Sequence, residues 1–185
     1  EASHETAGDH FTPRDVIKTL VEITFSPDIN SILKDPKTIR TIYDPASGTG
    51  GMLSESQKFI EENVNKDVNL GLVGQDINDE AYAVCKSDMM IRGIDPKHIQ
   101  FGNSLGDDDK FPGSKFDYIL SNPPYGRDWK DFADDIEKEK KKSDSRYVAG
   151  LPRTSDSAML FLQHIVSKMH PADSDKTSRV AIVFN

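Results

Sequence analysis

The spacing of apolar residues changes character near residue 38. Before it, Val16, Ile17, Leu20, Val21 and Phe25 recur on one face at helical spacing. Phe11-Thr12-Pro13-Arg14 opens that helix, with Thr12 as N-cap and Pro13 suited to the first helical position; Ser26-Pro27 ends it. After residue 38, short β-branched runs alternate with amphipathic stretches. Strands are predicted at 39–43 (ending at Asp44), 70–75 (ending at Asp76), 99–101, 116–120 (delivering Ser121-Asn122) and 180–184. Helices are predicted at 52–63, with Met52, Ser56, Phe59 and Ile60 inward, and from Asn78 to about residue 92, with Ala81, Val84, Cys85 and Met89 spaced by turns. A third spans 158–169, with Leu160, Phe161, His164, Ile165 and Met169 on or near one face. Asn78 caps the second of these and Gly93 ends it. Strands alternating with helices require crossovers and a parallel sheet. The expected class is α/β, a doubly wound, mostly parallel sheet with ligands outside the carboxyl ends of its strands.

The chain has 185 residues, enough for one domain, with a leading helical segment (1–37) and an alternating core (38–185). A stretch near 127–150 breaks the alternation and is crowded with charge, including Glu137-Lys138-Glu139-Lys140-Lys141-Lys142. It reads as a solvated, mobile loop or surface helix rather than a DNA contact. No apolar run suits a transmembrane helix, and Glu1-Ala2-Ser3-His4-Glu5 lacks the basic and apolar regions of a signal peptide. The single cysteine, Cys85, cannot form an internal disulfide and reads as a small buried hydrophobe, which points to a reducing, cytoplasmic setting. A net charge of −8 does not suit a free-standing DNA binder. It suits a core that meets DNA at a local site while other chains supply the grip. The last strand stops where a loop should begin, so a fragment of a longer protein is expected.

The candidate chemistry falls at the predicted strand ends. Asp44-Pro45-Ala46-Ser47-Gly48-Thr49-Gly50-Gly51 lets the backbone turn sharply toward a ligand, with a helix N-terminus behind it. No lysine follows, so a triphosphate cradle is not expected. Asp76 can accept hydrogen bonds from both hydroxyls of a ribose. The alternative, that it caps the next helix, is weakened because Asn78 is available for that role. Asn103-Ser104 can meet an adenine edge. Asp44 can meet a positively charged amino group, which S-adenosylmethionine has and NAD lacks. His164 has no metal-type neighbour in sequence, so it reads as a helix residue and no metal site is expected.

Asn122-Pro123-Pro124-Tyr125 supplies a side-chain carbonyl, main-chain carbonyls with no proline N–H, and an aromatic face. An exocyclic amine on a base has two N–H donors in one plane. An Asn oxygen and a main-chain carbonyl can accept both and draw the nitrogen lone pair out of conjugation, while Tyr125 stacks on the base.

Taken in order, Phe11-Thr12-Pro13, residues 44–51, Gln75-Asp76-Ile77-Asn78, Gly102-Asn103-Ser104 and Asn122-Pro123-Pro124-Tyr125 resemble the motifs of class I S-adenosylmethionine-dependent DNA adenine-N6 methyltransferases. More narrowly, with Arg153-Thr154-Ser155-Asp156-Ser157, Met159-Leu160-Phe161-Leu162 and Ser167-Lys168-Met169, the chain resembles the modification subunit of type I restriction–modification systems. The resemblance implies that Phe11 and Thr12 flank the methionine part of S-adenosylmethionine. Asp44, Ala46, Ser47, Gly48, Thr49, Gly50 and Gly51 would line its amino-acid and sulfonium region. Asp76 would bind ribose, Ile77 would lie against adenine, and Asn103 with Ser104 would contact the adenine. Asn122 and the Pro123 carbonyl would hold the target amine, with Tyr125 stacked on the base. Implied partners are double-stranded DNA, a specificity subunit and, in some systems, a restriction subunit, with no membrane. The family sheet has seven strands, of which five are placed here, which again implies truncation at both ends. Two alternatives stay open: a methyltransferase acting on protein glutamine or RNA amines, and a non-catalytic, methylase-like assembly module.

Overall fold

The computed structural model describes residues 12–30, 39–64 and 67–184. Five strands form one sheet: β1 (Ile39–Asp44), β2 (Asn69–Asp76), β3 (Ile99–Phe101), β4 (Tyr118–Ser121) and β5 (Arg179–Ile182). Their order is β3-β2-β1-β4-β5, and every pairing is parallel. Five α-helices accompany them: α1 (Arg14–Phe25), α2 (Gly51–Asn63), α3 (Asp79–Ile91), α4 (Ala133–Lys140) and α5 (Ala158–Ser167).

Successive strand residues face opposite sides of the sheet, and both sides are buried. Ile42, Leu72, Tyr118 and Leu120 point to one side. There they meet Ile17, Val21 and Phe25 of α1, Met52, Leu53 and Ile60 of α2, and Cys85 and Met89 of α3. Their neighbours Tyr43, Val73 and Ile119 point to the other side, against Phe116 and Ile165 of α5. Tyr43 and Phe116 stack with ring centroids 4.3 Å apart. Each fully buried Leu or Ile contributes roughly 1.5–3 kcal/mol, so a one-residue slip that exchanged the two faces would forfeit most of the core. The doubly wound class read from the sequence is the class observed.

Local boundaries differ for physical reasons. Pro13, not Thr12, occupies the N-cap position of α1, and no side chain caps that helix. Thr12 lies one residue further out and makes a different bond, described below. Val16 and Val84 are exposed, whereas Leu53 and Ser54 are buried. Apolar spacing fixes a helical stripe but not where the neighbouring element ends it. Phe116 lies outside β4 and forms an isolated bridge with Met169, past the end of α5. The final strand starts one residue earlier than expected, and Phe184 is exposed beyond it.

The charged stretch is a surface helix with an anchored interior. A short 3-10 turn, Lys130–Phe132, leads into α4, whose charged residues are mostly exposed. Apart from the exposed Val148, its large apolar residues point inward. Trp129, Ile136 and Tyr147 pack with Leu105, Leu160 and Phe161 in a second cluster. Three anchors spread through a charge run do not register as a periodic pattern; of the two expected forms, mobile loop or surface helix, the helix is the one observed.

Candidate functional site

The strand order reverses between β1 and β4, and the carboxyl ends of both strands open onto the crevice where parallel sheets bind ligands. A buried bond closes the floor of that crevice: Ser121 Oγ, at the end of β4, donates to Asp44 Oδ1, at the end of β1, over 2.8 Å. Ala46 N–H donates to the same oxygen at 3.0 Å. Burial, with the nearby Asp76 charge adding, pushes the Asp44 carboxyl up to about 7 despite these two bonds.

The turn after β1 is held by its backbone. Ser47 N–H donates to the Gln75 carbonyl (3.1 Å) and Gly50 N–H to the Ser47 carbonyl (2.8 Å). Gly48 and Gly50 both have left-handed backbone, at φ 52° and 86°. Gly50 caps α2, and a Cβ added to it would lie 2.6 Å from Cys85 Sγ. At Gly48 a Cβ would meet nothing within 4 Å, so this face of the turn is open. The first intrahelical bond of α2 is Ser54 N–H to Gly50 O, which leaves the earlier amides of the helix without intrahelical acceptors.

Asn78 takes the capping role expected of it, and Asp76 bonds the backbone on either side of the crevice floor. Asn78 Oδ1 accepts from Ala81 N–H (2.9 Å) and caps α3. Asp76 Oδ2 accepts from Gly48 N–H (2.6 Å) and Oδ1 from Asn78 N–H (2.8 Å), so it ties β2 to the glycine turn. Burial raises its carboxyl above the ordinary range. Each carboxylate oxygen can still accept a further bond. Ile77 beside it is an exposed large apolar residue, 52% accessible.

The remaining sequence-predicted residues separate into those facing the crevice and those facing inward. Thr49 and Ala46 are half-buried, and Ala46 packs against the second cluster. Ser47 and Ser104 are buried. Ser104 Oγ donates to the Pro45 carbonyl at 2.6 Å, so it clamps the two loops together rather than presenting a free hydroxyl. Asn103 Oδ1 accepts from Leu105 N–H (3.0 Å), which leaves its amide N–H groups available. Phe11 lies outside the described residues.

At the end of β4, Asn122 is fixed from both sides. Its Nδ2 donates to Thr12 Oγ1 (2.8 Å), and its Oδ1 accepts from the Tyr125 hydroxyl (2.7 Å). Thr12 therefore reaches the site by orienting the Asn122 amide. Pro123 is buried, Pro124 exposed and Tyr125 half-buried.

Arg146 went unnoticed in the sequence. Its side chain is only 8% exposed. Nη1 donates to the Ser104 carbonyl (2.7 Å), and Nη2 to the carbonyls of Leu105 (3.1 Å) and Gly106 (2.8 Å). Glu139 pairs with it from α4, with Nε 2.7 Å from Oε1 and Nη2 2.8 Å from Oε2. Asp109 lies 3.3 Å from Nη1 and also pairs with Lys168 at 2.6 Å, so two cations face two carboxylates. Nη1 also lies 2.5 Å from His164 Nδ1. Arginine cannot accept, so the His164 nitrogen does, and the neutral ring carries its proton on Nε2, 3.0 Å from the Tyr43 hydroxyl. Burial, then the Arg146 and Lys168 charges, hold His164 well below its ordinary range. The available sequence signal was the pair of aromatics, Trp129 and Tyr147, bracketing a run of charges: such a run is pinned at both ends.

Comparison with known proteins follows the same lines. A sequence model of the N-6 DNA methylase family matches residues 1–185. The chain belongs to this family. Among relatives of this N-6 methylase chain, the type I restriction enzyme HindI methylase subunit of Haemophilus influenzae is 27% identical over 175 residues, covering 92% of this chain and 35% of that one. The EcoEI methylase subunit of Escherichia coli is 30% identical over 184 residues, 96% of this chain and 32% of the other. The fold matches that of the type I restriction-modification methyltransferase subunit of Streptococcus thermophilus, with a TM-score of 0.73 at 22% identity over 97% of this chain and 35% of that one. The chain thus spans about a third of the length of these relatives. The narrower resemblance to type I modification subunits, read from the motifs, agrees with all three.

Proposed function

We propose that this chain is the catalytic core of a DNA adenine-N6 methyltransferase that uses S-adenosylmethionine and works as the modification subunit of a type I restriction–modification system. The observation that carries this reading is the orientation of Asn122. With Nδ2 held by Thr12 and Oδ1 accepting from Tyr125, the amide is fixed at the end of β4, directly before Pro123.

S-adenosylmethionine, when bound, supplies a methyl group already activated by its sulfonium. The chain supplies position and electrostatics. The open Gly48 face, the Asp76 oxygens and the exposed Ile77 suit a ribose and a purine at the β2 end. A cation beside Asp44 favours the carboxylate form that burial otherwise disfavours. Asn122 Oδ1 and the Pro123 carbonyl accept the two amine N–H bonds and meet the positive charge that grows on the nitrogen as it attacks. Neither is a base that must first be deprotonated. Oδ1 keeps a second lone pair beside its bond from the Tyr125 hydroxyl, and the Tyr125 ring can stack on the base, worth about 1–3 kcal/mol. That gain offsets part of the few kcal/mol needed to bring an adenine out of the duplex.

Double-stranded DNA, a specificity subunit and, in some systems, a restriction subunit are the partners of this reading. The relatives named above are themselves subunits of type I restriction enzymes, and the net charge of −8 fits a core whose DNA grip comes from elsewhere. The test uses the full-length chain assembled with its partner subunits, labelled S-adenosylmethionine and DNA carrying the target site. Label recovered as N6-methyladenine supports the proposal. Label on RNA or on protein glutamine assigns the site to another amine, and an assembled complex that binds no S-adenosylmethionine by calorimetry is an assembly module.

A further inference from the structure

The three carbonyls of Ser104, Leu105 and Gly106 follow one another in an irregular turn, where no helix or strand supplies their partners. Buried carbonyls need donors from elsewhere. Arg146 provides them for all three, and the Tyr147 hydroxyl adds a second bond to the Leu105 carbonyl at 2.6 Å. The same short turn carries Asn103, whose Oδ1 is bound to Leu105 N–H. Ser104 Oγ ties it to Pro45 in the glycine turn. The guanidinium is itself held by Glu139 from α4 and by Asp109. The loop that faces the nucleotide end of the crevice is therefore shaped from behind by the segment that follows the Asn122 site.

We propose that Arg146 is a positioning residue for the cofactor pocket: its planar fork fixes the 103–106 turn so that Asn103 Oδ1, which keeps a second lone pair beside its bond from Leu105 N–H, accepts from the 6-amino group of the cofactor's purine. This rests on the S-adenosylmethionine reading above. A planar fork matters because three carbonyls and one carboxylate must be met together in one geometry; a lysine ammonium keeps the charge but lacks the fork. Asn103 is the reader and Arg146 does not touch the ligand. Loss of Arg146 should therefore weaken discrimination at the purine before it weakens the chemical step.

The experiment compares S-adenosylhomocysteine with S-inosylhomocysteine, in which the 6-amino group is replaced by an oxo group, by calorimetry on the full-length complex. Wild type is expected to prefer the adenine form. Arg146→Lys should lose affinity for S-adenosylhomocysteine by about tenfold or more, because a charged hydrogen-bond set is lost. Its preference between the two analogues should shrink toward one. KM for S-adenosylmethionine should rise while kcat at saturation stays within about twofold. Tyr147→Phe removes one bond without leaving a buried charge, and should move the preference the same way by a smaller factor. If Arg146→Lys does not fold, judged by loss of a cooperative melt, Tyr147→Phe decides alone. Wild-type affinity and preference in the variant that decides overturn the proposal. So does an equal loss for both analogues, since a merely structural residue would leave the preference intact. Failure of wild type to bind S-adenosylhomocysteine overturns the cofactor reading instead.

Discussion

The turn after β1 and the segment after β4 reach the same rim of the sheet, and they are held there by different means. The first is short. Left-handed glycines, two backbone bonds, the Asp44 and Asp76 carboxylates and the Ser104 hydroxyl hold it. The second runs from Asn122 to Ser157 and is held by side chains: Trp129 Nε1–H donates to the Arg153 carbonyl (3.0 Å), Ser157 N–H reaches back to Arg127 O (3.0 Å), and Arg146 and Tyr147 grip the turn after β3. A turn built from backbone identity has one shape. A segment built from side-chain bonds, such as that of Tyr125 to Asn122, can release one and keep the rest. On the proposed function, the first would be a fixed cradle for the cofactor and the second a set of contacts that can be remade around the target base.

Mutations at the two regions should separate these roles. The largest effect is expected at Asn122: Asn122→Ala should lower single-turnover methyl transfer by about 10²–10³-fold, as loss of one positioned polar group does. Cofactor affinity, measured by calorimetry, should fall far less. The cradle should respond the other way. Gly50→Ala forces a side chain into a left-handed backbone and against Cys85 Sγ, so urea melts should show a loss of about 2–4 kcal/mol. Adding Cys85→Ala removes the clash but not the backbone strain, and should recover only part of that loss. If the double variant recovers all of it, the left-handed backbone carries none of the constraint.

Asp44 joins the two regions and should show a smaller, pH-dependent effect. Between the ordinary carboxylate range and about 7, the folded chain holds a proton that the unfolded chain has released. Stability contributed by this group therefore falls as pH rises through that window. Asp44→Asn should raise the melting temperature of the ligand-free protein at pH 8 and change it little at pH 4. The same substitution should weaken S-adenosylmethionine binding by about tenfold at pH 8, and the difference should shrink as pH falls through about 7. The smallest effect is expected in the outer part of the charged segment. Lys140, Lys141 and Lys142 changed together to Ala should leave both the methylation rate and the salt dependence of DNA binding close to wild type. A shallower salt dependence would show that these lysines contact phosphates.

Legibility in the sequence follows the same division. The glycine turn, the Asn78 cap and the placement of Asn122 at a strand end could be read because each depends on neighbours close in sequence or on the repeating strand-helix pattern. Thr12 was misassigned because a Thr-Pro pair before a helix fits an N-cap, while its actual partner is 110 positions away. Arg146 was hidden for the same reason: a charge among charges reads as solvated, and only the carbonyls of Ser104, Leu105 and Gly106, about 40 positions earlier, reveal it as buried. Val84 fitted the helical stripe, yet nothing packs over its part of α3 strongly enough to bury it.

The Gly50–Cys85 contact has one more consequence. Thiols react as thiolates, and burial, with nearby carboxylates, pushes this thiol up to about 12. In the folded chain it is buried and nearly inert, so a reagent reaches it only when the packing around it opens. The rate at which a thiol-specific dye consumes this single thiol is thus a count of how often the packing around it opens. A small molecule that settles in the crevice should slow that count without any label having to be engineered into the protein.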